Sequence, residues 1–187
     1  MDRHDKSTLR QEIRRKRDGF PEQEWKAASR AICEKLFALP EFGRCWTLMS
    51  YVSFGREVGT LDLIRKGLST AKTVCIPRTK LKEGVIEAVQ IFEIDEIDFE
   101  GFVPQPMDGN IIPAGEIEMV IVPGIVFDES GNRIGSGKGF YDRFLPACQG
   151  LKAGLAFDFQ VMAGEVPHVA SDVAVDLIIT ETRIIRC

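Results

Sequence analysis

The chain has 187 residues, 28 acidic and 24 basic, giving a formal net charge of −4; 44% are hydrophobic and 28% charged. That balance excludes disordered, collagen-like and low-complexity classes, and the length suits one domain over residues 1–187 with a core of its own. An acidic total also argues against a nucleic-acid partner, whose binder is usually basic. The longest nearly uninterrupted apolar run, Met119–Phe127, contains Pro123 and Gly124 and is far short of the ~20 residues of a membrane helix. Residues 1–17 lack the apolar stretch of a secretory signal, and Asp2, Asp5 and Glu12 are foreign to a mitochondrial presequence. Cys33, Cys45, Cys75, Cys148 and Cys187 form no CxxC pair or Cys/His cluster, so free thiols and a cytoplasmic location are expected. His4 and His168 are far apart with no nucleophile motif beside either.

Charge is concentrated at the start. Residues 1–17 hold seven basic and three acidic groups, net +4, leaving 17 basic and 25 acidic, net −8, for the rest. A helix is expected from Lys6, with Asp5 or Ser7 as cap and Gly19 and Pro21 as stop. Leu9 and Ile13 share one face of it, while Lys6, Arg10, Arg14 and Arg17 align on another. Such a stripe is either a solvated face or a phosphate-binding one. A second helix is expected over Pro21–Leu39, with Ala27, Ala28, Ala31, Ile32, Leu36 and Phe37 inward. Strand and helix then alternate: strand Cys45–Val52, helix Leu61–Leu68, strand Thr73–Ile76 ended by Pro77, and a half-exposed strand Glu87–Ile94. A Pro/Gly-rich loop of about fifteen residues follows, and loops that long tend to be functional or disordered. Strand Glu118–Val122, helix Gly139–Cys148 and strands Lys152–Phe157 and Val175–Thr180 complete the reading. The alternation predicts an α/β fold with a largely parallel central sheet and helices on both faces.

The segment PGIVFDESGNRIGSGKGFYDRFL, residues 123–145, carries the chemistry. It starts at the carboxyl end of a buried strand, where open parallel sheets place ligands, and runs through Gly131, Gly135, Gly137 and Gly139 into a helix. Glycines at this spacing let main-chain N–H groups converge on an anion, the helix start adds to their field, and Arg133 and Lys138 add cations. Asp142 could hold a divalent ion. The string is not a Walker A loop, because Asn132 stands where the first glycine is needed and Gly139 follows Lys138 in place of Ser or Thr. It is not GxGxxG either, because position 140 is Phe.

With these residues in place, the sequence resembles the 5-formyltetrahydrofolate cyclo-ligase family. The family signature P-G-x-x-F-D-x-x-G-x-R-x-G-x-G-x-G-x-Y-D-x-x-L is matched by Pro123, Gly124, Phe127, Asp128, Gly131, Arg133, Gly135, Gly137, Gly139, Tyr141, Asp142 and Leu145. Lys6 and Arg10 match its N-terminal K-x-x-x-R, Glu57 its E-[VI]-x-T element, Pro104-Gln105-Pro106 a Pro-containing loop, and Asp172 with Asp176 its closing D-x-x-x-D. Ser136 departs from the bulky or cationic residue usual there.

The resemblance implies ATP- and Mg²⁺-dependent cyclisation of 5-formyltetrahydrofolate to 5,10-methenyltetrahydrofolate, with the formyl oxygen taking the γ-phosphate before N10 closes the ring. It implies a nucleotide site of Lys6, Arg10, Arg133, Ile134, Gly135, Ser136, Gly137, Lys138, Gly139, Phe140 and Tyr141. Arg10, Lys138 and Tyr141 would lie at the reacting groups. Val52, Glu57, Gly137, Lys138, Gly139 and Phe140 would contact the folate, Glu57 accepting from pterin N–H groups. Asp142 and Asp172 would hold Mg²⁺. A small-molecule substrate, no membrane or nucleic-acid partner, and a monomer are expected. Other readings of the residues are a relative that kept the ATP loop but lost folate turnover, a sugar-phosphate isomerase-like enzyme, and an RNA-binding module using the basic helix.

Overall fold

The computed structural model describes residues 5–101 and 103–187; Asp2, Arg3, His4 and Phe102 of the sequence reading lie outside them. In chain order the helices are α1 (Lys6–Asp18), α2 (Glu22–Phe37), α3 (Pro40–Arg44), α4 (Leu61–Ser69) and α5 (Phe140–Phe144). The strands are β1 (Thr47–Ser50), β2 (Thr73–Lys80), β3 (Val85–Ile91), β4 (Ile97–Asp98), β5 (Gln105–Pro106), β6 (Ile111–Ile112), β7 (Met119–Val122), β8 (Val126–Asp128), β9 (Arg133–Ile134), β10 (Leu151–Leu155), β11 (Val161–Met162), β12 (Leu177–Ile179) and β13 (Ile184–Arg186).

The main sheet runs β13-β12-β10-β7-β1-β2-β3-β6. Its five central strands are mutually parallel, and β13, β3 and β6 add antiparallel edges. Period-2 alternation divides the core into two layers. Leu48, Met119, Ile121, Leu155 and Ile179 face α2 and α3, while Met49, Val120, Val122 and Ile178 face α5 and the turn after it. Helices thus cover both faces, as the alternating pattern requires. From β1 the chain winds outward one way through β2, then restarts at β7 and winds the other way through β10 and β12. The crevice between β1 and β7 is therefore a topological switch point, and it opens at their carboxyl ends.

Four expectations are corrected. Strand β2 continues through Pro77, which pairs with Ala88 of β3. The register with β1 ends at Met49 opposite Cys75, so Pro77 has no strand paired with it on the β1 side and its missing N–H is tolerated. The loop of residues 101–116 contains β5, paired with β4, and β6, paired with β3. The helix expected over Gly139–Cys148 is α5 followed by a 3₁₀ turn at Leu145–Ala147, because Pro146 removes a helical N–H and crowds the preceding turn. Finally, α2 turns Ser29 and Cys33 inward with Ala28, Ile32 and Leu36, and leaves Ala27 exposed.

Candidate active site

The switch-point crevice opens into a cavity of about 900 Å³, at the upper end of the usual range for small-molecule sites. Three elements frame it. Helix α1 lies across the carboxyl ends of the strands, held by Leu9 and Ile13 against Ile125, Val126, Ile134 and Val166. That contact fixes its rotation, so Lys6, Arg10, Arg14 and Arg17 all face the cavity. The basic stripe is therefore a wall of the site and not a solvated face.

The glycine-rich segment forms the second wall. Its first half is scaffolding, since β8 and β9 make a hairpin that also pairs with β11. Asp128 holds the turn, accepting from the Ser130 and Asn132 N–H groups, the Asn132 amide and the Val166 N–H at 2.9–3.0 Å. Gly124 is required by Phe127, whose ring would lie 2.4 Å from a Cβ at that position. The second half is the loop proper, Gly135 to Gly139. Gly137 has φ +99° and Gly139 φ +65°, conformations that glycine reaches without a Cβ penalty. Arg10 Nε donates to the Gly135 carbonyl at 2.8 Å, joining α1 to the loop. Lys138 is exposed and its ammonium has no protein partner among the described residues. Ser136 is likewise exposed. Ile134 is buried under α1, and its carbonyl accepts from the Ile125 N–H. With five residues, α5 aligns too few peptides for the helix-end field that the sequence suggested.

Two ion pairs close this wall. Arg133 Nη2 meets Asp142 Oδ1 at 2.7 Å with the Arg133 side chain 3% exposed, and Lys6 Nζ meets Asp172 Oδ2 at 2.6 Å. Burial pulls the Arg133 pKa down, opposed chiefly by Asp142. Burial works against the Asp172 charge, but the bonds from Lys6 and the Val169 N–H outweigh it and hold this carboxyl below its ordinary value. The Val173 N–H also donates to Asp142 Oδ1, which brings the chain beside Asp172 against Asp142. Among the described residues no cluster of three or more metal-ligating side chains occurs.

The third wall is the loop after β1. Val52 is buried against α4's core and borders the cavity with Phe140 and Tyr141. Glu57 sits deep in the site, 18% exposed, with Oε1 3.9 Å from Arg17 Nη1 and Oε2 accepting from the Phe54 N–H. Burial raises its pKa, and Arg17 opposes the rise. The inward polar residues of α2 explain its placement. Trp25 Nε1 donates to the Glu57 carbonyl at 2.8 Å, the Gly59 N–H donates to Ser29 Oγ, and the Cys33 thiol donates to the Gly59 carbonyl. Thr60 closes the loop by donating to the Tyr51 carbonyl at 2.7 Å. The Tyr141 hydroxyl is buried without a partner among the described residues, and desolvation pushes its pKa upward.

Every residue expected from the sequence borders this one cavity. Tyr51, Thr79 and Leu81, which carry no sequence signal for a site, border it as well, and so do Arg14 and Arg17 of the basic stripe. Arg14 and Arg17 carried a usable signal, the helical stripe itself. Thr79 and Leu81 are brought in by the antiparallel β2–β3 hairpin, which local periodicity does not reveal, and Tyr51 by its place directly after β1.

Residues 2–181 match the model of the 5-formyltetrahydrofolate cyclo-ligase family. The chain belongs to that family. A probable 5-formyltetrahydrofolate cyclo-ligase of Schizosaccharomyces pombe is 31% identical over 83% of this chain and 85% of its own length. The 5-formyltetrahydrofolate cyclo-ligase of Mus musculus is 26% identical over 94% and 93%. Among solved structures, the 5,10-methenyltetrahydrofolate synthetase of Aquifex aeolicus superposes with a TM-score of 0.86 at 31% identity, covering 97% of this chain and 92% of that one. The Mycoplasma pneumoniae synthetase gives 0.79 at 26% identity, covering 95% and 99%. The family is one of ligases, and the open, mostly parallel sheet is the fold of these relatives.

Proposed function

We propose that the chain converts 5-formyltetrahydrofolate to 5,10-methenyltetrahydrofolate at the expense of ATP with Mg²⁺, residues 1–187 acting as one domain. The observation that carries this reading is the polarity of the cavity. Lys6 and Arg10 of the cationic helix face and the glycine loop lie at one end, and the buried carboxylate of Glu57, approached by Arg17 from the far end of the same helix, lies with apolar neighbours at the other. The residues fit a nucleotide. Positive-φ glycines leave the loop N–H groups unshielded, while Arg10 and the unpartnered Lys138 supply charge beside them. They also fit Mg²⁺, which keeps several waters and takes only one or two carboxylates alongside phosphate oxygens. Asp142 and Asp172 would provide these.

When bound, ATP supplies the phosphoryl group that activates the formyl oxygen. The chain's residues then have to position and neutralise charge, with no strong base required. Lys6, Arg10 and Lys138 offset the phosphate charge. Arg133 holds Asp142 in place through their buried pair. Glu57 accepts from pterin N–H groups, and Val52, Phe140 and Tyr141 confine the folate beside the nucleotide. Buried, unpaired Cys33, Cys45, Cys75 and Cys148 suit a reducing cytoplasm. A site built wholly within one chain suits a monomer.

Absorbance of the methenyl product tests the proposal. Product is expected only when 5-formyltetrahydrofolate, ATP and Mg²⁺ are all present, with one ADP formed per product. Full-rate ATP hydrolysis without folate, or product without ATP, would contradict it.

A further inference from the structure

Arg14 and Lys138 of the cavity are exposed to water; among its buried and half-buried cations Arg17 stands apart. Arg10 donates to Gly135, Arg133 to Asp142, and Lys6 to Asp172. The Arg17 side chain is 12% exposed and donates no hydrogen bond among the described residues; its one charged contact is the 3.9 Å approach to Glu57, and its Nε is buried without a partner. A guanidinium carries five N–H donors, and leaving them unsatisfied out of water is unfavourable. The arrangement is incomplete without something that accepts from it. Seven residues from Arg10, it lies on the same face of α1 about two turns further along, beyond the glycine loop, at the end of the cavity lined by Tyr51, Glu57, Pro123 and Gly124. Arg17 and Glu57 together present donor, acceptor, acceptor in one neighbourhood. The 2-amino-4-oxopyrimidine edge of a pterin presents the complement: the 4-oxo acceptor, the N3–H donor and the 2-amino donor.

We propose that Arg17 is a specificity-determining residue for the folate ring, donating to the 4-oxo oxygen while Glu57 accepts from N3–H and the 2-amino group. This rests on the assignment of the Glu57 end of the cavity to the pterin. The Arg fork makes the recognition geometric as well as electrostatic, so lysine is not an equivalent. Because the Arg17 end is separate from the glycine loop, its loss is expected to spare nucleotide binding.

The test is calorimetric titration of the full chain, with Arg17→Gln, Arg17→Lys and Glu57→Gln compared with the parent. The ligands are MgATP, 5-formyltetrahydrofolate and its 4-thio analogue, which keeps both ring donors but offers a poor acceptor. The parent is expected to bind the 4-oxo compound more tightly than the 4-thio compound. Arg17→Gln is expected to lose about ten- to a hundredfold in affinity for the 4-oxo folate and to bind the two analogues alike, with MgATP affinity unchanged. Arg17→Lys is expected to recover only part of the loss. If Arg17→Gln weakens folate binding but keeps the 4-oxo preference, Arg17 acts only through the Glu57 charge and the ring-reading role is wrong. If Glu57→Gln weakens folate binding and Arg17→Gln does not, the inference fails while the pterin assignment stands. Should neither variant affect folate, the assignment of this end of the cavity fails with it. Far-ultraviolet melting of each variant separates these outcomes from unfolding.

Discussion

Arg10, Lys138 and Arg133 show how differently three cations of one site are held. Arg133 is buried and paired with Asp142, so its contribution is mostly to place that carboxylate. Arg10 is half-buried and anchored to the Gly135 carbonyl, so it shapes the loop as well as charging it. Lys138 is exposed and its ammonium is held by nothing among the described residues, leaving it available to a phosphate. Arg10→Ala and Lys138→Ala are therefore both expected to weaken MgATP binding, by about 1.5–3 kcal/mol or roughly ten- to a hundredfold. They should differ in stability. Lys138→Ala removes no internal contact and should leave Tm within about 1–2 °C of the parent. Arg10→Ala removes the tie between α1 and the loop and should lower Tm measurably further. Titration calorimetry with thermal melting checks both, and parental MgATP affinity in both variants would refute the phosphate role.

Two elements carry the two ends of the cavity, and neither does so through residues that touch its centre. Helix α2 seats the Glu57 loop with Trp25, Ser29 and Cys33. Arg143, on α5, seats the glycine loop: it donates to the Lys138 carbonyl at 2.9 Å and to the Gly84 carbonyl of the β2–β3 turn at 2.6 Å, with Phe140 beneath it. Separate anchors imply separable defects. Trp25→Phe is expected to raise the folate KM about two- to tenfold, the loss of one hydrogen bond, with the MgATP constant unchanged. Arg143→Ala is expected to do the reverse, raising the MgATP constant by a similar factor. Steady-state kinetics with each substrate varied in turn decides, and equal effects on both constants in both variants would mean that the anchors are not separate. These anchors are hard to read in the sequence because they act through main-chain groups. Ser29 and Cys33 look like interruptions of an apolar face, and Arg143 occupies an unspecified position of the signature.

At the scale of the molecule, the parallel core and the cavity's place were legible because β1, β7 and β10 are short apolar runs separated by helical spacing. A sheet of that kind has few places to hold a ligand. The β2–β3 hairpin and the β8–β9 hairpin were not legible, since Pro77 reads as a strand end and Asp128–Asn132 as an open phosphate loop. Their pairing partners decide otherwise, and partners lie outside any local window. The position of α1 follows from a sequence feature, Leu9 and Ile13 opposite a basic stripe, but its consequence is global. Beyond that small apolar contact, α1 is tied to the rest of the chain mainly by polar links, Lys6 to Asp172 and Arg10 to Gly135. With Lys6, Arg10 and Arg14 aligned at the loop end of one face, it gains most from an anion placed between it and the glycine loop. MgATP should therefore slow hydrogen exchange at the amides of α1 and of residues 135–139 more than at the buried strands β1 and β7, which are already protected by the core. Exchange followed by mass spectrometry, with and without MgATP, makes the comparison. Protection spread evenly over the sheet, with α1 unchanged, would show that the nucleotide stabilises the fold without bridging this helix to the loop.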